Sequence, residues 1–305
     1  MFPAPHQRSL QQGRLVIWLA YRPPYHWPAL LAFLQARAIT GIEVVADNVY
    51  SRTFAIGGKR GTLGVSPARG NRLQVTFSDI PPNLLPLLTL RVRRVFDLDA
   101  DLQHIEQTLS RDPLMADLIA RHPGLRVPGG WDAFEQAMRT VLGQQISVAG
   151  AITLASRMVS RHGQPFDSGH PGLTHLFPVA QAVANEDLST LGMPRSRANT
   201  LTGMAQALAI NPRLLAQAKG LENRVAALCS LRGIGPWSAQ YLALRYLREA
   251  DAFPLGDVAL VKALRLLEGP ETPLAERAKA WSPWRAYAAQ HLWTSLSWTG
   301  ATSPR

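Results

Sequence analysis

The chain of 305 residues contains a single cysteine, Cys229. One thiol cannot close an intrachain disulfide, nor can it furnish a four-cysteine zinc or iron–sulfur site. Long apolar runs are missing as well. The stretch LVIWLAY at 15–21 is too short to span a bilayer and runs directly into Arg-Pro-Pro. No small-residue cleavage signature marks a signal peptide, so the expected setting is the cytoplasm, with no membrane partner. Repeats of fixed period and low-complexity tracts are also absent, which excludes solenoid architectures. Acidic residues are the last scarcity. Asp plus Glu number 21 against 32 Lys plus Arg, leaving a formal charge of +11. Such an excess favours polyanionic partners, because cationic side chains release counterions condensed on a phosphate backbone. An anionic membrane or a merely basic surface would give the same balance, so charge alone does not choose.

Hydrophobic residues make up 47% and charged residues 17% of the chain, enough for a real core and, at this length, for about two domains. The two parts differ in texture. From 14 to about 80 the pattern is strand-like: RLVIWLAYR has an apolar centre, and residues 72–78 alternate strictly, with Leu73, Val75 and Phe77 on one face. Glycines at 57, 58, 61 and 64 punctuate hairpins between 49 and 66. Helices are expected over 27–38 and 84–96, giving an α+β unit over 14–102: a small antiparallel sheet with helices on one face. From 103 to 305 amphipathic helices dominate and an all-α domain is expected. Asp132 and Glu135 form a capping-box pattern ahead of Phe134, Met138, Val141 and Leu142. Gln144 and Gln145 occupy the following turn, and Ser147 can cap the next helix. Residues 162–173 read as a loop and residues 1–13 as a mobile polar tail.

The most informative stretch is LRGIGPWSAQ, 231–240. The apolar helix VAALCSL leads into it, Gly233 and Gly235 can supply positive backbone dihedrals, and Pro236 suits the first position of a new helix. That helix carries Trp237, Tyr241 and Leu244 on one face. A Gly-hydrophobic-Gly turn directs backbone N–H groups outward at a helix N-terminus, an anion site suited to a DNA phosphate. Taken alone, such a turn is more often only structural.

L-x-G-I-G-x-W-S-A, with Asp257 downstream, resembles the helix-hairpin-helix DNA glycosylases, in particular the 3-methyladenine DNA glycosylase II (AlkA) type. Residues 21–54, 123–149, 191–198 and 281–293 also look like that type's segments in the same order, so the likeness spans about 14 to 296. The resemblance implies a monofunctional glycosylase of base excision repair that flips alkylated bases, such as 3-methyladenine and 7-methylguanine, out of duplex DNA. It would hydrolyse the N-glycosidic bond and leave an abasic site. A glycosylase for deaminated or oxidised purines, or a DNA-binding protein without chemistry, are the alternatives. No obligate protein partner, redox cofactor or catalytic metal is called for. The resemblance does imply that main-chain carbonyls of the hairpin (231–237) can hold a structural monovalent cation.

Residue roles follow from the same likeness. Asp257 in FPLGDVALVK, otherwise an ordinary helix cap, matches the catalytic Asp; a carboxylate there can stabilise oxocarbenium character on the sugar and help water attack. Asp251 is a nearby carboxylate outside that register. Trp237, Tyr241 and Trp293, otherwise core aromatics, match the base pocket, whose electron-rich rings suit a flat cation. Phe33 and Arg37 match residues lining or flanking it. Lyase relatives carry a lysine where Trp237 stands, and indole cannot form the Schiff base. Gln145 matches the wedge that fills the gap left by the flipped base. The type's familiar pattern has leucine there, so a purely hydrophobic wedge is not expected. The backbone of Gly233, Ile234 and Gly235 matches the phosphate contact.

Overall fold

The computed structural model describes residues 8–11, 14–78 and 80–298, with side chains over 14–78 and 80–297. Six strands form one antiparallel sheet: β1 Arg8–Gln11, β2 Arg14–Ala20, β3 Glu43–Ala46, β4 Val49–Ile56, β5 Lys59–Ala68 and β6 Arg72–Phe77, in the order β1-β2-β6-β5-β4-β3. The expected N-terminal tail needs correction within this sheet. Residues 1–7 and 12–13 lie outside the described residues, but Arg8–Gln11 pair with β2 from Arg8↔Ile17 to Gln11↔Arg14. The open edge of β2 satisfies backbone groups that a polar segment would otherwise leave to water. Gly57 and Gly58, with φ of 58° and 74°, close the β4–β5 hairpin in the two-residue turn whose twist suits antiparallel strands.

Helices α1 (Trp27–Gln35) and α2 (Leu85–Val95) pack on one face of the sheet. The alternation in β6 buries Leu73, Val75 and Phe77 against Trp27, Leu30, Leu88 and Val92, with Trp131 completing the same core. Helix α1 is shorter than its pattern predicts. Past Gln35 the amides of Arg37 and Ala38 bond three residues back, to Leu34 and Gln35, and the tightened turn ends the helix.

The rest is helical: α3 Leu102–Leu109, α4 Pro113–Arg121, α5 Ala133–Leu142, α6 Val148–His162, α7 Ala180–Val183, α8 Arg195–Ile210, α9 Leu221–Cys229, α10 Pro236–Arg245, α11 Val258–Glu268, α12 Leu274–Arg277 and α13 Arg285–Trp298. The loop expected after α6 contains one small ladder, Gln164–Pro165 with His175–Leu176. Two apolar cores meet at α10. Ala239 and Leu242 belong to the one built by α5, α6 and α8, while Ala243 and Leu244 belong to the one built by α3, α4, α11 and α13. A helix apolar on most of its circumference must be covered on more than one side, and α10 is. No helix among the described residues is long and apolar enough to cross a membrane.

The sheet unit and the helices are joined by a buried ion cluster. Asp132 caps α5 by accepting the Glu135 amide at 2.9 Å. Glu135 does not complete the expected capping box, because its carboxylate, 2% exposed, receives Arg52 Nη2 at 2.6 Å and Arg139 Nε at 3.0 Å instead. Arg139 also reaches Glu43 Oε2 at 2.5 Å, and Tyr50 donates to Glu43 Oε1 at 2.6 Å. Two guanidinium groups outbid one exposed backbone amide for that carboxylate. Burial raises the Glu135 carboxyl, but Arg52 and Arg139 outweigh it and hold the group at about 2.

Candidate active site and hairpin

A cleft of about 1190 Å³ opens where α1 and the β3–β4 region face the helices. Trp237, Tyr241, Trp293, Phe33, Arg37, Gln145 and Asp257 all line it, as do the glycines Gly233 and Gly235. Sequence positions more than two hundred residues apart are thus gathered around one space. Ile234 is the exception: it is 4% exposed, inside the apolar core, where it anchors the hairpin.

Asp257 is a helix cap whose carboxylate also lines this cleft, as do Glu43 and Glu135 of the ion cluster. Its Oδ1 accepts the amides of Ala259 and Leu260, each at 3.0 Å, at the start of α11. The same oxygen receives Trp293 Nε1 at 3.1 Å, while Oδ2 receives Trp237 Nε1 at 3.0 Å. Four donors fix the carboxylate in one orientation, so the indoles hold the acid as well as forming a wall. Asp251 is spent elsewhere: Arg285 grips both its oxygens at 2.7 Å.

The rings form a corner. Trp237 and Tyr241 stack with centroids 5.2 Å apart and planes 12° from parallel, and Trp293 meets Tyr241 edge-on at 6.2 Å and 72°. Spacing along α10 explains the stack, since residues four apart lie above one another. Leu244 does not continue the stripe, being buried in the second core. Arg245 continues it instead. This residue was not singled out from the sequence, although its place four after Tyr241 was the available signal. Its guanidinium lies 4.6 Å from the Phe33 ring, 5.0 Å from Trp293 and 5.3 Å from Tyr241. Arg37 also lies over Phe33, at 3.9 Å. Burial raises the Tyr241 phenol, but Arg245 and Arg37 outweigh it and hold that group below the ordinary phenol range.

The hairpin differs in detail from expectation. Gly233 has φ of 79°, and a Cβ there would lie 2.1 Å from Thr200 Oγ1, so glycine is required on two counts. Gly235 has φ of −90° with extended ψ and does not need glycine's left-handed freedom; a Cβ there meets nothing within 4 Å. The positive dihedral expected at Gly235 is therefore corrected: one left-handed residue suffices to reverse the chain, and Gly235 instead leaves open space before α10. The Ile234 amide donates to Leu231 at 3.0 Å and is not free for a ligand. Helix α10 starts without a side-chain cap.

Gln145 is exposed at the tip of the α5–α6 turn, in a left-handed conformation with φ of 53°. Its neighbour Gln144, read from the sequence only as a turn residue, fixes this tip to the hairpin. Gln144 Nε2 donates to the Gly233 carbonyl at 3.0 Å and to Ser238 Oγ at 2.9 Å. Turn and hairpin thus move as one edge of the cleft.

Comparison with known proteins matches this arrangement. Residues 16–132 match the AlkA N-terminal domain, and residues 138–286 match the HhH-GPD superfamily base excision DNA repair protein model. DNA-3-methyladenine glycosylase 2 of Escherichia coli K12 is 35% identical over 285 residues, covering 92% of this chain and 97% of that one. A Mycobacterium tuberculosis protein named as a probable bifunctional transcriptional activator/DNA repair enzyme AlkA is 35% identical over 287 residues; this chain spans 58% of its length. In fold, a 3-methyladenine DNA-glycosylase from Archaeoglobus fulgidus superposes with a TM-score of 0.81 at 20% identity, over 93% of this chain and 99% of that one. An 8-oxoguanine glycosylase/lyase from Clostridium acetobutylicum, in complex with double-stranded DNA, gives 0.72 at 17% identity, over 97% and 98%. With its fold, its hairpin and its sequence matched along nearly the whole length, this chain belongs to the HhH-GPD superfamily of base excision DNA repair proteins, with an N-terminal domain of the AlkA kind.

Proposed function

We propose that this protein is a monofunctional DNA glycosylase that flips alkylated bases out of duplex DNA and hydrolyses their N-glycosidic bonds. One observation carries the reading: the Asp257 carboxylate is held by both indoles at the edge of the aromatic corner. An extruded nucleotide whose base stacks on Trp237, Tyr241 or Trp293 brings its sugar to that carboxylate. As the bond to the base breaks, the positive charge growing on the sugar is stabilised by an acid already oriented to receive it. Water adds to C1′, and no step needs a covalent enzyme intermediate. No lysine lines the cleft among the described residues, which supports hydrolysis without strand scission. The decisive experiment is incubation with methylated duplex DNA. Free 3-methyladenine and 7-methylguanine are expected by chromatography, with strand breaks appearing only after alkali. Breaks before alkali would refute the monofunctional assignment, and no free base would refute the glycosylase.

The hairpin and the Gln145 turn supply the grip on DNA in this reading. Amides of Gly233 and Gly235 and the uncapped start of α10 meet a phosphate, and Gln145 enters the vacated stack, where its amide can bond the orphaned base. A monovalent cation would find the carbonyls of Leu231 and Gly233 here, each with one lone pair already engaged. Substitution separates the glycines. Gly233→Ala, forced onto Thr200, is expected to lower both thermal stability and DNA affinity. Gly235→Ala keeps stability but places a methyl where the phosphate approaches. Losing one charge-assisted contact is worth about 1.5–3 kcal/mol, so affinity should fall about tenfold or more. Undiminished binding by Gly235→Ala would remove the phosphate from this position.

A further inference from the structure

The floor of the cleft carries a charge that binding of cationic bases does not call for. Arg245 is 3% exposed. Its polar partners are Pro128 O at 3.0 Å, Gln290 Oε1 at 3.4 Å and the Tyr241 phenol, none of them a carboxylate, while Nε bonds nothing among the described residues. No carboxylate forms an ion pair with it among the described residues; Arg52, equally buried, pairs with Glu135, whereas the buried Arg126 bonds only main-chain carbonyls away from the cleft. Arg37 adds a second guanidinium over Phe33. A cation entering the corner would meet rings against which Arg245 already lies.

The charges are ordered along the reaction. Asp257 accepts the indole N–H groups, where the proposed function puts the sugar, and Arg245 lies against the rings on which the base would stack. When the C1′–N bond breaks, its electron pair goes to the base nitrogen and the sugar becomes positive. The water oxygen then bonds C1′ and one water proton leaves by way of Asp257, to solvent when the base was cationic and to the base nitrogen when the base was neutral. A cationic base departs neutral by this route, whereas a neutral base departs as an anion. A fixed positive charge in a buried site repels the cation on entry and stabilises the anion on departure.

We propose that Arg245 is a selectivity residue that raises the protein's efficiency on neutral lesions, purines that leave as anions, relative to cationic ones. The inference rests on the glycosylase reading above. It is tested by kcat/KM on duplexes carrying one hypoxanthine, which is neutral, or one 7-methylguanine, which is cationic. Arg245→Met is expected to lower the hypoxanthine-to-7-methylguanine ratio of kcat/KM at least tenfold, and Arg245→Lys to restore most of it. Because the electron pair moves the same way in both reactions, the maximal single-turnover rates should fall by similar factors. The change in ratio should therefore appear through KM. A ratio that stays constant, or rises, overturns the proposal. Should Arg245→Met not fold, tryptophan quenching of the wild-type protein by free nucleosides decides. Near neutral pH, anionic xanthosine is expected to bind at least tenfold more tightly than 1-methyladenosine, which is cationic there, and the reverse order overturns it. Wild-type protein that releases neither base would sink the glycosylase reading itself, whereas a charge-blind Arg245→Met variant sinks only this inference.

Discussion

Asp257→Asn is expected to release methylated bases at least about a hundredfold more slowly than wild type while binding the same duplex with undiminished affinity, the scale of losing one preorganised electrostatic group. The carboxylate supplies two acceptor oxygens to four donors: two helix amides and two indoles. Asparagine keeps one oxygen, which can still cap α11, since Asn caps helices as well as Asp does. Its NH₂ must then face an indole N–H, donor against donor, and it offers no negative charge to the sugar. Stability should change little while chemistry is lost. Single-turnover base release and a binding isotherm on the same DNA separate the two. Release at the wild-type rate would remove Asp257 from the reaction.

Glu135→Gln is expected to be the most destabilising single change at the junction between the sheet and the helices, costing about 3–5 kcal/mol as a lowered urea midpoint, because it leaves two buried guanidinium groups to share the single Glu43 carboxylate. Arg52 is 3% exposed and pairs with Glu135 at 2.6 Å, and Arg139 would be left to Glu43 alone. Replacing both partners, Arg52→Met with Glu135→Met, should recover much of the loss, since an apolar pair of similar size avoids both desolvation penalties. The pH dependence has a definite sign. Glu135 is held at about 2, below its ordinary 4.5, so its contribution is complete above the unfolded value and disappears as pH falls from about 5 towards 2. Wild-type stability should decline through that window, and Glu135→Gln should lack that part of the decline. Identical acid limbs would count against the cluster.

Much of the sheet was legible because period-two alternation in 72–78 has only one burial solution, and paired glycines at 57–58 can only turn. The candidate site residues were named by resemblance, each at its own position in the chain, and all but Ile234 line one cleft. What stayed hidden was partnership. Glu135 has the spacing of a capping box, yet it answers to Arg52, remote in sequence and delivered by β4. Arg8–Gln11 have the composition of a tail but find an unpaired strand edge. Gly235 has the look of a left-handed residue, while the reversal is completed at Gly233.

By itself, then, the sequence determined the local elements, the hairpin and the membership in a family, because these depend on short-range periodicity and on residue identity. Tertiary structure alone decided that two indoles orient Asp257, that Gln144 ties the α5–α6 turn to the hairpin, and that Arg245 lies against the rings without a paired carboxylate among the described residues. Such pairings are settled by which surfaces the packing of α10 between two cores brings within hydrogen-bond reach, and no periodicity in the chain encodes that distance.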